Sequence, residues 1–184
     1  MRELEQDQTT WPSWATEPIT VVDYNPEWPQ RAQNEREHLL QLLTPFLVGE
    51  IEHIGSTAIP GLVAKPIIDL QAPLRDLADA DIVAPILAPH GWHYVPRKLD
   101  QRPYRRFFVK VANDHRSAHL HLMRLGAARL DQQLAFRDAL RTCPDLVRAY
   151  GRLKVELAHR HGGDREAYTA GKQRFIQDAL ARST

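Results

Sequence analysis

The amino-acid sequence predicts an α/β (α+β) protein, a mixed β-sheet flanked by helices and followed by a C-terminal helical segment. Two observations carry that expectation. Up to Gly126, short alternating or β-branched runs are interleaved with stretches of helical period; after Gly126 only the helical period remains.

At 184 residues the chain suits one domain, which buries roughly 70% of the surface its unfolded chain exposes. Residues 1–17 are polar, follow neither period and read as a flexible N-terminal arm, with Trp11 and Trp14 as candidate pins to the body. Residues 18–184 form the domain, an α/β core over 18–126 and a helical part over 127–184. Residues 19–24 (ITVVDY) suggest a short strand, and Asn25-Pro26 turns into a helix from Trp28 to Leu43 that Pro45 closes. Residues 49–54 alternate as a strand, Gly55 to Gly61 is rich in turn formers, and Pro66 to Leu74 is again extended. A helix, or two broken at Pro85, fits residues 75–89; residues 92–95 fit a strand; Tyr104–Val111 and Ala118–Met123 fit a hairpin turning at Asn113 and Asp114. Three helices fit Leu130–Arg141, Pro144–Arg160 and Asp164–Ala181, with Asp164 capping the last.

Composition narrows the function classes. Twenty-four Lys and Arg against 23 Asp and Glu give no overall nucleic-acid-binding signature, so nucleic acid is a partner that net charge does not indicate. The single cysteine, Cys143, reads as a half-buried thiol rather than a nucleophile. With no apolar run long enough to span a bilayer and no signal-peptide pattern, the expectation is a cytoplasmic protein without a membrane partner. Arg97, Lys98, Arg102, Arg105, Arg106 and Lys110 crowd one stretch, either a solvated face or a seat for an anion.

In the run Ile67-Ile68-Asp69-Leu70-Gln71, alternation sets Asp69 and Gln71 on one strand face and Ile68 and Leu70 on the other. A carboxylate inside an apolar strand needs a partner: Lys65, a metal ion or a substrate would each serve. Upstream, Gly55-Ser56-Thr57 follows one strand and precedes a helical turn. Backbone N–H groups and hydroxyls there would seat a phosphate, although such a pair is also an ordinary turn. His119 and His121 share a face of the hairpin's second strand, and imidazoles suit Zn²⁺, Mn²⁺ or Fe²⁺. His53 reads as a hydrogen-bonded core residue.

A Gly-Ser turn followed by an Asp-apolar-acid strand resembles the nucleotidyltransferase superfamily. The stretch IEHIGSTAIPGLVAKPIIDL (51–70), with Tyr24-Asn25-Pro26-Glu27-Trp28-Pro29, His119-Leu120-His121, Phe136-Arg137-Asp138 and the Tyr150, Leu153-Lys154, Tyr168, Lys172-Phe175-Ile176 pattern, resembles the GrpB family over residues 19–182. The resemblance implies a nucleotidyltransferase-like fold that binds a nucleoside triphosphate or another phosphorylated small molecule and passes a nucleotidyl group to an acceptor. Gly55, Ser56 and Thr57 would seat phosphates, helped by Lys65, Arg106, Lys110, Lys154 and Lys172; Asp69, His119 and His121 would be catalytic. Asp69, Gln71 and His121 would hold a divalent metal, Mg or Mn, or a transition metal if the histidines ligate. Gln71 departs from the acid expected at its position, and no third acid is evident. Two alternatives stand beside this expectation. One is a non-catalytic module for nucleotide, RNA or coenzyme A, the last suggested by family members fused to dephospho-coenzyme A kinase. The other is a histidine- or metal-dependent enzyme of another class.

Overall fold

A computed structural model describes residues 12–182. Residues 1–11 of the expected arm, Trp11 among them, lie outside the described residues. The described part of the arm holds a helical turn, α1 (Ser13–Thr16), and is tied down. Trp14 packs on His93 at 5.3 Å between ring centroids and under the Arg116 guanidinium at 5.4 Å, while Arg116 Nε donates to the Trp14 carbonyl at 2.8 Å.

Residues 19–24 pair with the body at a single bridge, Val22 with Ala64, so the expected strand is not formed. Asn25 starts the next element: its Oδ1 accepts from the Glu27 N–H at 2.8 Å, and buried Trp28 opens α2 (Trp28–Leu43). There follow β1 (Glu52–Ile54), a 3₁₀ turn at Ser56–Ala58, β2 (Ile68–Leu74), α3 (Asp79–Leu87) with Pro85 inside it, β3 (Trp92–Val95), a short α4 (Arg97–Asp100) that the sequence did not suggest, and the hairpin β4 (Arg105–Ala112) and β5 (His115–Arg124). The helical part comprises α5 (Ala128–Thr142), α6 (Pro144–His161), α7 (Arg165–Ala170) and α8 (Gln173–Ala181), so the expected last helix is divided. Asp164 caps α7, accepting from the N–H groups of Glu166 and Ala167 at 3.0 and 2.9 Å. Cys143 is exposed at the α5–α6 junction rather than half-buried.

The sheet order is β1-β2-β5-β4-β3, with β2 and β5 parallel and the other pairs antiparallel. Even-numbered residues of β2 (Ile68, Leu70, Ala72, Leu74) join Leu120, Leu122, Phe108 and Trp92 in one core with Leu39 and Leu43 of α2 and Val83 and Leu87 of α3. Each such side chain, fully buried, contributes roughly 1.5–3 kcal/mol. Odd-numbered Asp69 and Gln71 point the other way. A second cluster joins Ile59 and Leu62, from the loop after β1, to Leu140 and Tyr150, with Phe136 and Phe175 against it. Through it the helical part braces the loop that carries Gly55.

The hairpin turns through Asn113 and Asp114, with φ of 51° and 60°, as two-residue turns require. Near the turn Ala112 faces His115 and Val111 faces Arg116; a bulge at Lys110/Val111 then pairs Lys110 with Ala118, Phe107 with His121 and Arg105 with Met123. The extra residue reverses the face of everything beyond it.

Candidate functional site

Parallel pairing sets Asp69 beside His119 and Gln71 beside His121 on the sheet face turned to the C-terminal helices. His119 Nδ1 lies 2.9 Å from Asp69 Oδ1, and His121 Nε2 lies 3.7 Å from the same oxygen. The loop after β1 closes on this carboxylate. Gly55 has φ of 70°, and a Cβ there would lie 2.5 Å from Asp69 Oδ2 and 2.9 Å from its Cβ. Only glycine fits both the backbone angle and the approach. The turn, the acid and the two imidazoles therefore meet at one place.

That place opens into a cavity of about 770 Å³ between the sheet and helices α5, α6 and α7, walled in part by α1 and α4. Lys65, Arg102, Arg105, Arg116, Arg129, Arg165 and Lys172 line it, against Asp69, Asp100 and Glu166. Several of these cations already have anions: Arg105 holds buried Asp100 at 2.9 and 2.5 Å, and Arg116 and Arg165 face Glu17 at 3.7 and 3.4 Å. Lys65, Lys172 and Arg129 have no anionic partner among the described residues. The Lys65 and Lys172 ammonium groups share the Tyr168 ring, at 5.5 and 4.4 Å from its centroid. Burial lowers the pKa of both; Lys172, with Lys65 adding repulsion, falls to about 8. Lys154 sits buried just beneath, donating to the Val63 carbonyl; burial, then the Lys172 charge, brings it to about 7.

Proton positions follow from the neighbours. Arg105 Nη1 is 2.5 Å from His121 Nδ1, and a guanidinium can only donate, so His121 Nδ1 accepts and its proton sits on Nε2, toward Asp69. His119 donates from Nδ1 to the carboxylate, leaving Nε2 a buried acceptor without a partner. Burial pushes the His121 pKa down to about 4 and lowers that of His119. Burial alone would raise Asp69, but the hydrogen bond from His119 and the N–H of nearby His121 outweigh it and hold the carboxyl well below its usual range.

Other expected site residues lie elsewhere. The bulge turns Arg106 and Lys110 to the opposite sheet face, where Lys110 binds Glu35 of α2 at 2.6 and 2.8 Å; Arg106 donates to the Arg105 carbonyl at 3.0 Å. Arg105, which the sequence left inside an undifferentiated basic run, takes the place expected of Arg106. Thr57 is buried and its hydroxyl is engaged, donating to the Ile67 carbonyl at 3.3 Å and meeting His53 Nε2 at 3.0 Å. His53 is the buried core residue expected, its pKa lowered by burial to about 4. Gln71 gives its amide N–H to the Leu130 carbonyl at 3.1 Å, and its Oε1 is buried without a partner. Glu52 is the acid beside Gln71 on β1, yet Arg137 binds it at 2.8 Å. Arg137 and Arg141 also reach the carbonyls of His53 and Ala58, so the Phe136-Arg137-Asp138 motif clamps the loop rather than lining the acid cluster.

One ligand atom from each of Asp69, His119 and His121 lies within 4.8 Å of the others, a spacing that could hold a metal ion. A groove of about 800 Å³ along α6 matches the cavity in size but gathers no such cluster. None of the described helices is long and apolar enough to cross a membrane.

The GrpB protein family matches residues 18–182 of the sequence. The chain belongs to the GrpB family. It is 39% identical over 181 residues to a UPF0157 protein of Pseudomonas aeruginosa, covering 96% of this chain and 72% of that one. A dephospho-CoA kinase of Mycolicibacterium paratuberculosis is 30% identical over 92% of this chain, which spans only 47% of that protein. Among solved structures, GrpB from Enterococcus faecalis superposes with a TM-score of 0.78 at 30% identity, covering 89% of this chain and 96% of that one. The Cid1 poly(U) polymerase superposes with a TM-score of 0.54 at 12% identity over 82% of this chain and 49% of its own, a likeness of fold. The sheet of this chain thus resembles a nucleotidyltransferase sheet in fold, as the Gly-Ser turn and Asp69 strand suggest.

Proposed function

We propose that this GrpB chain binds a nucleoside triphosphate in the cavity and transfers its nucleotidyl group to an acceptor hydroxyl. The observation that carries the reading is the contact of Gly55 with Asp69 at the edge of a cation-lined cavity. In this reading the polyphosphate lies along Lys65, Lys172 and Arg129, with the Ser56 hydroxyl and the turn's N–H groups toward it. The acceptor oxygen forms a bond to the α-phosphorus, the bond from that phosphorus to the bridging oxygen breaks, and pyrophosphate leaves with the electron pair. The acceptor's proton passes to His119 Nε2, the buried acceptor without a partner. Asp69, holding Nδ1–H, orients the ring and stabilises the imidazolium that forms. The likeness of fold to a polymerase described with Mg and 3′-dATP bound supports a nucleotide as the ligand class.

The test is pyrophosphate release from ATP and UTP with RNA or small-molecule hydroxyl acceptors. Asp69→Asn and His119→Gln should each slow it by about 10²-fold or more. Equal release by the Asp69→Asn protein would sink the reading. The match to half of a dephospho-CoA kinase favours a second reading, a module that binds a coenzyme A-like molecule without turnover. Coenzyme A binding that persists in Asp69→Asn, with no pyrophosphate released from any triphosphate, selects it.

A further inference from the structure

A phosphoryl-transfer site of this fold is expected to neutralise the triphosphate with divalent ions, and such ions need a particular set of donors. Magnesium takes six oxygens in near-octahedral geometry, usually one or two carboxylates completed by waters and substrate phosphates. Here the cluster has a single carboxylate, Asp69. Glu52, the acid nearest in register, is bound by Arg137, and Gln71 offers only a neutral amide oxygen. The imidazoles suit a transition metal in principle, but each presents the wrong atom. A metal-ligating nitrogen needs its lone pair, and the nitrogens that face Asp69, His119 Nδ1 and His121 Nε2, both carry protons. Freeing His121 Nε2 would move its proton to Nδ1, directly against the Arg105 guanidinium. Arg105 is fixed in turn by buried Asp100 and cannot readily withdraw. The donor set therefore fits a divalent ion poorly, offering a single carboxylate and two imidazoles whose nitrogens facing it carry protons.

The cavity supplies positive charge by other means. Lys65 and Lys172 both lie over one tyrosine ring, neither in an ion pair among the described residues, Arg129 is likewise without one, and Asp69, whose charge acts on both lysines, is outnumbered. Like charges held together without a counter-ion are costly unless a ligand supplies the missing anion.

Resting on the nucleotide reading above, we infer that fixed side-chain cations, Lys65, Lys172 and Arg129, hold the polyphosphate in place of metal ions, and that Asp69 with its two imidazoles is a hydrogen-bonded acid–base unit rather than a metal centre. Arg105 is the positioning residue of that unit: by donating to His121 Nδ1 it fixes the His121 tautomer, while the Asp69 carboxylate fixes that of His119. Lysines partly neutral in the empty cavity become fully charged around the anion, so binding takes up protons.

The experiment is calorimetric titration of the full chain with ATP and with UTP, once in excess EDTA and once in excess Mg²⁺, followed by titration with Mn²⁺ alone. Binding in EDTA should be as tight as in Mg²⁺ or tighter, since Mg²⁺ shields the anion from the lysines. Lys172→Gln and Arg129→Gln should each weaken it by about tenfold or more in both media, with far-UV circular dichroism and thermal unfolding confirming that the variants fold. At pH 8, heats measured in two buffers of different ionisation enthalpy should reveal proton uptake. Triphosphate binding that appears only with Mg²⁺ overturns the inference and leaves the nucleotide reading standing. So does tight Mn²⁺ binding that His121→Ala abolishes. Absence of triphosphate binding in both media removes the two together.

Discussion

The two faces of the sheet are made from the same five strands by opposite rules. On the face under α2 and α3, residues 68, 70, 72 and 74 of β2 meet Leu120, Leu122 and Phe108 in a wholly apolar cluster. On the other face the intervening residues are Asp69, Gln71, His119 and His121, and two polar atoms there, Gln71 Oε1 and His119 Nε2, are buried without partners. The first face stabilises the fold. The second holds groups that lower stability, gathered where a ligand can satisfy them, which is the pattern expected where function and stability compete.

Four measurements would break or sharpen that contrast. Phe108→Ala, on the apolar face, empties a fully buried ring site and should cost about 3–5 kcal/mol in denaturant unfolding. An effect below about 1 kcal/mol would show that this face does not carry the fold. Gly55→Ala, at the edge of the polar face, forces a side chain onto a positive φ and against Asp69; about 1–3 kcal/mol of stability and most triphosphate binding should go. Lys172→Met should leave thermal stability equal or raise it by up to about 1 kcal/mol while weakening binding, because it removes a half-buried ammonium beside Lys65. A loss of stability there would place Lys172 among the structural residues.

The last measurement is a pH series. Lys154 and Lys172 have folded pKa values of about 7 and about 8 against 10.5 for an unfolded chain. Between those values the unfolded state binds more protons, so the contribution of these groups to stability of the empty protein rises with pH from about 7 to about 10. Anion binding should weaken over the same interval as the lysines lose charge. Arg165, Arg116 and Asp69 also line this part of the cavity, with Glu17 against the two arginines; burial and then the Arg165 charge lower Arg116 to about 10, so its charge starts to fall only at the top of this window. Melting temperature and triphosphate affinity that move in the same direction through this window would refute the assignment.

The apolar face was largely legible in the sequence because it obeys period: Trp28–Leu43, Ile68–Leu74 and the hairpin are found close to where their patterns place them. The Gly55-Ser56 turn and the pairing of Asp69 with His119 and His121 were legible too, since alternation sets each set on one face. Three features were not. Residues 19–24 are β-branched but find only one bridging partner, Ala64, which no local pattern announces. The identity of the arginine beside His121 depends on strand register. Without the bulge at Lys110/Val111 the pairing that begins at Ala112 and His115 would set Arg106 opposite His121; with it, Arg105 faces the site. The His121 proton position depends on that same arginine and the His119 one on its contact with Asp69, so whether the imidazoles offer a metal a free lone pair could not be read from residue types alone.

The bulge has a consequence for comparing GrpB chains with one another. Which basic residue of this strand serves the cleft is decided by the parity of a count made from the hairpin turn, so a relative one residue shorter between turn and cleft would present its neighbour instead. In this chain residues 105 and 106 are both arginine, so a one-residue slip of the strand would change which of them faces the cleft and still leave a guanidinium there.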